Sequence, residues 1–294
     1  MAGVMTVLVS ATISLTAQTT PSEDPKITQF RTRANAGDAV AQWSLGVLYE
    51  NGSGVSQDYG QAVQWYRKAA DQGYAPAQSK LGSLYAKGQG VPRDLAQAVQ
   101  WYRKAAEQGD AAGQSEMGVA YANGQGVRQD YVQAAQWYRK AADQGYAQAQ
   151  FNLGVLYENG TGVAQDFAGA AQWYRKSADQ GDALAQANLG ALYATGQGVP
   201  EDHAQALQWF RKAAEKGNAP AQSNLGLLYA KGQGTPKDYV EAEKWLILAA
   251  ARTSGDSRND IVAARDAVAR ALTPVQLAEA QKRAREWTEA FERK

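Results

Sequence analysis

The sequence predicts an all-α solenoid of six 36-residue helix-turn-helix repeats with capping helices at its N- and C-terminal ends. Three observations lead to this fold class. Glycines recur at a fixed offset, the same apolar pattern with helical spacing returns in every copy, and the flanking segments are helical in pattern but outside the register. The recurring glycines are Gly37, Gly73, Gly109, Gly145, Gly181 and Gly217.

The first 24 residues differ in character from the rest of the chain. Residues 1–17 form an apolar leader that ends in small residues, and residues 18–24 have the polar composition of a disordered spacer. A short apolar region before a possible cleavage site is typical of a secretory signal peptide, although no Lys or Arg precedes Lys26. We therefore expect export to the periplasm or secretion through an atypical signal peptide; a cytoplasmic location is the alternative.

Residues 25–36 are predicted to form an N-terminal capping helix, and the six repeats follow in residues 37–252. Pro25 suits the first position of a helix because its missing N–H would be unpaired there in any case. Phe30 lies in the register of Tyr66, which belongs to the second helix of the first repeat. The leading helix therefore resembles half a repeat that covers the open face of the first complete one.

Each repeat is predicted to begin with a helix of about a dozen residues. In the first copy Ala41, Leu45, Leu48 and Tyr49 fall on one helical face. Gly52 follows the last of these residues, where a glycine readily adopts the left-handed conformation that ends a helix. The apolar face must pack against a second helix, because such short helices are marginal alone in water.

The second helix of each repeat is predicted to start at an aspartate and to end at a glycine. In the first copy these residues are Asp58 and Gly73, and the buried stripe between them carries Trp65 and Tyr66. Gly46 lies inside the first helix, where glycine costs about 1 kcal/mol relative to alanine. We expect a close helix approach to offset this cost, with Tyr66 or Trp65 packed against the glycine.

Residues 253–294 are predicted to form two helices that cap the last repeat. The first runs from about Asn259 to Leu272, and the second runs from Pro274 to near Lys294. Thr273 and Gln276 have the spacing of a capping box at the start of the second helix. These helices would cover the otherwise open face of the sixth repeat.

The first copy contains the pattern Ala-x-x-x-Leu-Gly-x-x-Tyr, then Gly-x-Gly-Val, an aspartate and Ala-x-x-Trp-Tyr-x-x-Ala-Ala. The other copies repeat this pattern with few changes. In this respect the chain resembles the Sel1-like repeat family, a relative of the tetratricopeptide repeat, and the resemblance covers Gly37 to Arg252. It implies a right-handed superhelix that serves as an adaptor in assemblies, secretion, envelope biogenesis or signalling.

Charge and rare residue types exclude several kinds of site. Thirty basic residues against 29 acidic ones leave a net charge of +1, so we expect no nucleic-acid partner. No stretch of 18 or more apolar residues follows the leader, so we expect no membrane insertion beyond the possible signal peptide. The chain has no cysteine, and His203 is its one histidine. His203 occupies a position that other copies fill with Tyr, Leu or Phe, which indicates a structural role. We therefore expect no metal, no cofactor, no catalytic residue and no enzymatic activity.

The first helices are predicted to line the concave face of a monomeric scaffold that binds a protein or peptide. Positions 40, 43, 44, 47, 50 and 51 and their equivalents face this side if the repeats stack as in tetratricopeptide arrays, and they vary among copies. Aromatic residues there suit an anchoring role, and side-chain amides suit the backbone of an extended peptide. The predicted contact residues are Trp43, Ser44, Val47, Lys80, Glu116, Phe151, Asn152, Asn188 and Asn224.

Several alternatives remain open at this point. Neutral drift on a solvated surface would also produce variation at these positions. An exported envelope module that binds glycan or peptidoglycan would need exposed aromatic residues on one face, and Trp43 and Phe151 partly meet that need. A hydrolase would need clustered ionisable groups in a cleft. The repeated Arg-Lys pairs, such as Arg67 and Lys68, suit the dipole at helix ends better than nucleic-acid contact.

Overall fold

The computed structural model describes residues 25–293, which form fifteen α-helices and contain no β-strand. The leader and spacer predicted for residues 1–24 lie outside the described residues. Within residues 25–293, no helix combines the length and the apolar character that crossing a membrane requires. The all-α solenoid predicted from the sequence is confirmed.

A single helix, α1 (Pro25–Asn35), precedes six helical hairpins, each of which is one repeat. The first helices of the repeats are α2 (Ala39–Asn51), α4 (Ala75–Lys87), α6 (Ala111–Asn123), α8 (Ala147–Asn159), α10 (Ala183–Thr195) and α12 (Ala219–Lys231). The second helices are α3 (Tyr59–Asp71), α5 (Leu95–Glu107), α7 (Tyr131–Asp143), α9 (Phe167–Asp179), α11 (His203–Glu215) and α13 (Tyr239–Arg252).

Each helix from α1 to α13 packs against the next one along the chain, and the first helix α6 also contacts the first helices α4 and α8 of the neighbouring repeats. Direct contact between first helices of successive repeats means that they are closely spaced. In a curved stack the closely spaced side is the inner side. The first helices therefore form the concave face, and the second helices form the convex face.

The loop inside each repeat is built on left-handed glycines and an aspartate cap. Gly52 has a φ of +69° at the end of α2, and the Asp58 carboxylate accepts a hydrogen bond from the Gln61 N–H at 3.0 Å. A Cβ on Gly90, in the next loop, would lie 2.3 Å from the carbonyl oxygen of Tyr59. This loop therefore rests against the start of the preceding repeat's second helix, where only glycine fits.

The glycine inside each first helix allows a ring to pack directly on the helix backbone. A Cβ on Gly46 would lie 2.5 Å from Cδ1 of Tyr66. The expected close approach is thus present, and the facing residue is the tyrosine rather than the tryptophan. The same contact recurs in the next three repeats, whereas Phe210 and Leu246 take the place of the tyrosine in the last two.

A buried glutamine on each first helix joins neighbouring helices. The Gln42 amide donates to the Ala34 carbonyl oxygen at 3.0 Å, and its oxygen accepts from the Gln72 amide at 2.7 Å. Equivalent glutamine pairs occur in repeats two, three and four. Lys216 stands at the second glutamine position of repeat five, and Oε1 of Gln186 has no hydrogen-bond partner among the described residues.

The side chains of the Arg-Lys pairs are engaged by aromatic residues of the solenoid, the lysine within its own helix and the arginine in the next repeat. The Lys68 ammonium lies 4.0 Å from the centroid of the Trp65 ring, and the Arg67 guanidinium donates to the hydroxyl of Tyr85 in the next repeat. These contacts give the basic stripe a structural role. Equivalent hydrogen bonds join Arg139 to Tyr157, Arg175 to Tyr193 and Arg211 to Tyr229.

The first C-terminal helix, α14 (Gly255–Ala269), begins four residues before the expected Asn259. Gly255 has a φ of +66°, which turns the chain from α13 into the next helix with almost no loop. The Thr253 hydroxyl donates to the Ala249 carbonyl oxygen at 2.9 Å and so pairs one of the free acceptors at the end of α13. The turn-forming residues around Gly255 therefore belong to the junction and to the first turn of α14.

The second C-terminal helix, α15 (Pro274–Glu292), packs on α13 and covers the last repeat. Thr273 and Gln276 form the expected capping box at its start. The Trp287 ring packs edge-on against Trp245, with 6.1 Å between the ring centroids. The aromatic side chains of α15 therefore extend the core of the sixth repeat.

Candidate functional site

Four tyrosine hydroxyls reach the concave face from the second helices. They belong to Tyr66, Tyr102, Tyr138 and Tyr174, and their partners on the first helices are Glu50, Ser83, Asn152 and Glu158 respectively. Burial of the rings raises the pKa of each tyrosine well above its usual value. The hydroxyls are therefore neutral and hold the first-helix side chains in fixed positions.

The concave side of repeats one and two carries an ion pair next to an aromatic residue. The Lys80 ammonium lies 3.1 Å from Oε2 of Glu50, which also accepts the hydroxyl hydrogen bond of Tyr66. Trp43 packs edge-on against Tyr74, with 6.0 Å between their ring centroids. The charge of Lys80 is thus balanced within the protein.

A cavity of about 300 Å³ opens between the first helices of repeats one, two and three. Trp43 and Tyr146 supply aromatic walls, and the polar walls come from side chains on or just before α4 and α6. We call this cavity the N-terminal pocket. The residues that define it here are Trp43, Ser79, Lys80, Asp110, Glu116 and Tyr146.

Two carboxylates of the N-terminal pocket have no cation within ion-pair distance among residues 25–293. Asp110 caps α6, accepting a hydrogen bond from the Gly113 N–H at 2.7 Å and another from the Ser79 hydroxyl at 2.5 Å. Burial raises the pKa of the Glu116 carboxyl, and the positive charge of Lys87 opposes this shift. The pocket therefore holds negative charge that the protein itself balances only in part.

Further along the concave face, the predicted residues are spread out rather than clustered. The centroids of the Phe151 and Tyr174 rings lie 5.8 Å apart. The side chain of Asn188 forms a hydrogen bond with the hydroxyl of the same tyrosine. Asn152 accepts a long hydrogen bond of 3.4 Å from Gln148. These residues form a half-buried polar strip on repeats four and five.

The remaining predicted residues occupy separate places. The Ser44 hydroxyl donates to the Val40 carbonyl oxygen on its own helix at 2.8 Å, and Val47 packs against the core below it. Asn224 lines a different cavity of about 310 Å³ together with His203. The structure thus brings Trp43, Lys80 and Glu116 together and leaves the other six residues apart.

His203 takes a place at the start of α11 and shows none of the surroundings of a metal ligand. Its Nε2 lies 3.0 Å from the side-chain nitrogen of Gln233 and 3.2 Å from the Glu201 carboxylate. Nowhere in residues 25–293 do three or more His, Cys, Asp or Glu side chains come together as a metal site would require.

Sequence reasoning missed three members of the N-terminal pocket. Asp110 and Tyr146 lie at the N-cap positions of α6 and α8, and Ser79 lies on α4. The sequence predicted aspartate caps only for the second helices, and Asp110 precedes a first helix. The available signal was that this N-cap position varies between aspartate, tyrosine and asparagine among the six repeats.

The family model described as Sel1 repeat matches six successive segments of the chain, each 36 residues long. Comparison with curated proteins gives no match. The matched segments are residues 39–74, 75–110, 111–146, 147–182, 183–218 and 219–254.

Three solved structures with this repeat are similar to the chain. A Sel1 repeat protein from Oxalobacter formigenes is 37% identical with a TM-score of 0.69, and the match covers 77% of this chain and 100% of that chain. The protective antigen c5321 of uropathogenic Escherichia coli is 30% identical with a TM-score of 0.37, covering 91% and 88%. A Sel1 repeat protein from Klebsiella pneumoniae is 25% identical with a TM-score of 0.48, covering 69% and 98%.

Proteins built from Sel1 repeats generally act as scaffolds for protein interactions, and the fold is typically non-catalytic. Binding of another protein is therefore the first candidate function of the concave face. The concave face carries polar groups that the four tyrosine hydroxyls hold in place. It also contains the N-terminal pocket, which has aromatic walls and a partly unbalanced negative charge.

Proposed function

The chain belongs to the Sel1 repeat family, and we propose that it is a scaffold that binds a protein or peptide partner on its concave face. The contact residues in this proposal are the nine first-helix positions Trp43, Ser44, Val47, Lys80, Glu116, Phe151, Asn152, Asn188 and Asn224. All nine are half-buried, so each offers accessible surface on a rigid support. Binding sites on rigid elements lose little conformational entropy when a partner is ordered on them.

The observation that carries the proposal is the contrast between the two faces. On the convex face, arginine and lysine side chains of the second helices are engaged with tyrosines and tryptophans of the protein itself. On the concave face, Glu116 and the oxygen Oδ1 of Asp110 lack such partners among the described residues. Polar groups that are held in place but lack a full set of hydrogen-bond partners in the protein can exchange bound water for groups of a binding partner at a low cost in free energy.

Site-specific photocrosslinking in cells of the source organism tests this proposal. A photoreactive amino acid is placed at Asn152 or Asn188 on the concave face, and at the exposed Gln64 or Gln100 on the convex face as matched controls. We expect the concave positions to crosslink one defined protein and the convex positions to give none or a different one. Crosslinks to that protein only from the convex positions would contradict the proposal.

Export of the chain is a second part of the proposal, and it rests on the composition of residues 1–17. N-terminal sequencing of the mature protein tests it, together with fractionation of the cells. A mature start near Gln18 in the envelope or the medium is expected. An intact Met1 in the cytosolic fraction would mean a cytoplasmic scaffold.

Light scattering on the purified chain tests the proposed monomeric state.

A further inference from the structure

We infer that the N-terminal pocket receives the basic side chain, lysine or arginine, of a polypeptide bound on the concave face. This inference rests on the proposed function and makes it more specific. The relevant features are the size of the cavity, the charge of its walls and the aromatic rings that flank those charges.

The walls carry an excess of negative charge where a ligand would enter. Lys80 is the one cation among the residues that line the pocket, and Glu50 is paired with it at 3.1 Å. Asp110 and Glu116 have no such partner within residues 25–293. A cation placed between these two carboxylates would balance a charge that is already partly removed from water, which makes the attraction stronger than on an open surface.

Both carboxylates act on the same space inside the pocket. Their negative charges, together with burial as the largest cause, raise the pKa of the Tyr146 hydroxyl. Asp110 belongs to the start of α6, Glu116 to its second turn, and Tyr146 precedes α8. The pocket therefore takes its lining residues from four successive repeats, and it exists only in the stacked solenoid.

The aromatic walls suit a cation with an aliphatic stem. The Trp43 ring lines one side of the cavity, and the Tyr146 ring, which is 36% exposed, lines another. The same molecule shows this chemistry elsewhere: the lysine ammonium groups of Lys68 and Lys176 lie 4.0 and 3.8 Å from tryptophan ring centroids. A volume of about 300 Å³ accommodates a lysine or arginine side chain and excludes a folded domain.

Other cavities of the molecule offer less. The grooves beside Arg139 and Arg175 on the convex face are mainly apolar and open, and their cations already contact tyrosine and tryptophan rings. The cavity beside His203 contains Lys231 and no carboxylate. A further cavity between α13 and α15 is lined by one arginine, Arg285, and one glutamate, Glu289, and has no aromatic residue. Among these cavities of residues 25–293, the N-terminal pocket is the one in which charge, shape and aromatic rings suit one ligand.

NMR titration of the full chain with short capped peptides tests the inference. The probes have a Gly-Ser-X-Ser-Gly sequence, with lysine, arginine, the uncharged norleucine or glutamate at X. The indole N–H signal of Trp43 is the readout, and it is identified among the eight tryptophan signals by its loss in Trp43→Phe. Saturable shifts are expected with lysine and arginine, with affinity at least roughly tenfold weaker for norleucine.

Two variants with the same change of charge make the test specific. Glu116→Gln is expected to weaken the lysine peptide at least roughly tenfold. Glu107→Gln changes an exposed carboxylate on the second helix of repeat two and is expected to leave the affinity unchanged. Equal affinity for lysine and norleucine peptides, no shift at millimolar peptide, or unchanged affinity in Glu116→Gln would overturn the inference.

The outcomes separate this inference from the proposed function. The crosslinked partner could bind Glu116→Gln as tightly as it binds the parent protein and also crosslink from Asn152. In that case the concave face is the binding surface, and the inference that the pocket receives a basic side chain is wrong. If the partner crosslinks only from the convex face while lysine peptides saturate the Trp43 signal, the pocket is real and the proposed function is wrong.

Discussion

Repeats one to four and repeats five and six share one backbone but differ in how their buried polar groups are paired. In the first four, the glutamine pairs and the tyrosine hydroxyls all have partners. In the last two, Lys216 and Arg252 occupy the glutamine position, while Phe210 and Leu246 occupy the tyrosine position. The row of tyrosine hydroxyls and the row of glutamine pairs therefore end with the fourth repeat, although the helices continue.

Unpaired buried atoms show the same difference. Among the described residues, repeats one to four have one such side-chain atom, Nε1 of Trp43. Six others lie between residues 186 and 245. Each buried polar atom without a partner costs free energy of folding, so we expect repeats five and six to open more readily than repeats one to four. The C-terminal cap, α14 and α15, packs on this less well paired part.

The largest expected effect comes from filling the space beside a tyrosine ring. A Cβ in Gly118→Ala would lie 2.4 Å from Cδ1 of Tyr138, a ring that is only 4% exposed. We expect a loss of about 3 kcal/mol in the free energy of unfolding, measured by urea denaturation, because the ring has no room to move.

The matched change in repeat six is Gly226→Ala, which faces the Leu246 side chain at 2.8 Å. The Cβ would also lie 3.1 Å from the Ala242 carbonyl oxygen, but an aliphatic side chain can change rotamer and alanine has the better helix propensity, so we expect a loss of less than about 2 kcal/mol. Equal losses in the two variants would show that the tyrosine rings are no more rigid than the leucine. The proposed difference between the two groups of repeats would then lose its packing basis.

The second effect concerns Glu243, a carboxylate at a position where five repeats carry Val, Ala or Leu. It is 2% exposed, and burial raises its pKa from 4.5 to about 7; Arg265 opposes this shift and Asp266 adds to it. The folded-state pKa is the higher one. The protonated form therefore contributes stability that is fully present below about pH 4.5 and is lost as the pH rises through 7.

Glu243→Gln removes this titration and keeps the shape of the side chain. We expect the variant to be more stable than the parent protein by roughly 2 kcal/mol at pH 8, and nearly equal to it at pH 4. Urea denaturation across this pH range measures the difference between the two proteins, in which the contributions of all other carboxylates cancel. A difference that is the same at both pH values would contradict the assigned cause.

The smallest effect restores the glutamine pairing in repeat five. Lys216→Gln places an amide donor next to the unpaired Oε1 of Gln186, as Gln180 does for Gln150 at 2.8 Å in repeat four. We expect a gain of about 1 kcal/mol in unfolding free energy. The reciprocal change, Gln180→Lys, is expected to lose a similar amount. A neutral result for both would mean that the glutamine pairs do not distinguish the two groups of repeats.

The repeat register and its local geometry could be predicted from the sequence because single residues determine them. Gly52 ends a helix through its own backbone conformation, Asp58 caps the next helix with its own carboxylate, and Gly46 marks a close approach wherever it recurs. These features depend on neighbours within one repeat. The 36-residue period then assigns the same geometry to the other five copies.

The candidate site could be predicted only in part, because it depends on contacts between repeats. Gln42 and Gln72 lie 30 residues apart, and no local pattern indicates that they pair. Asp110 and Tyr146 enter the pocket because the first helices converge, and that curvature follows from packing rather than from the period. Trp43, Lys80 and Glu116 were identified because they vary among copies on the concave side.

The most direct test of the central claim is hydrogen exchange of the chain with and without its crosslinked partner, read by mass spectrometry. We predict that the partner protects peptides from α2, α4, α6 and α8, and leaves the exchange of the second helices α3, α5, α7 and α9 nearly unchanged. Protection confined to the second helices would show that the partner binds the convex face, and would contradict the assignment of the concave face as the interaction surface.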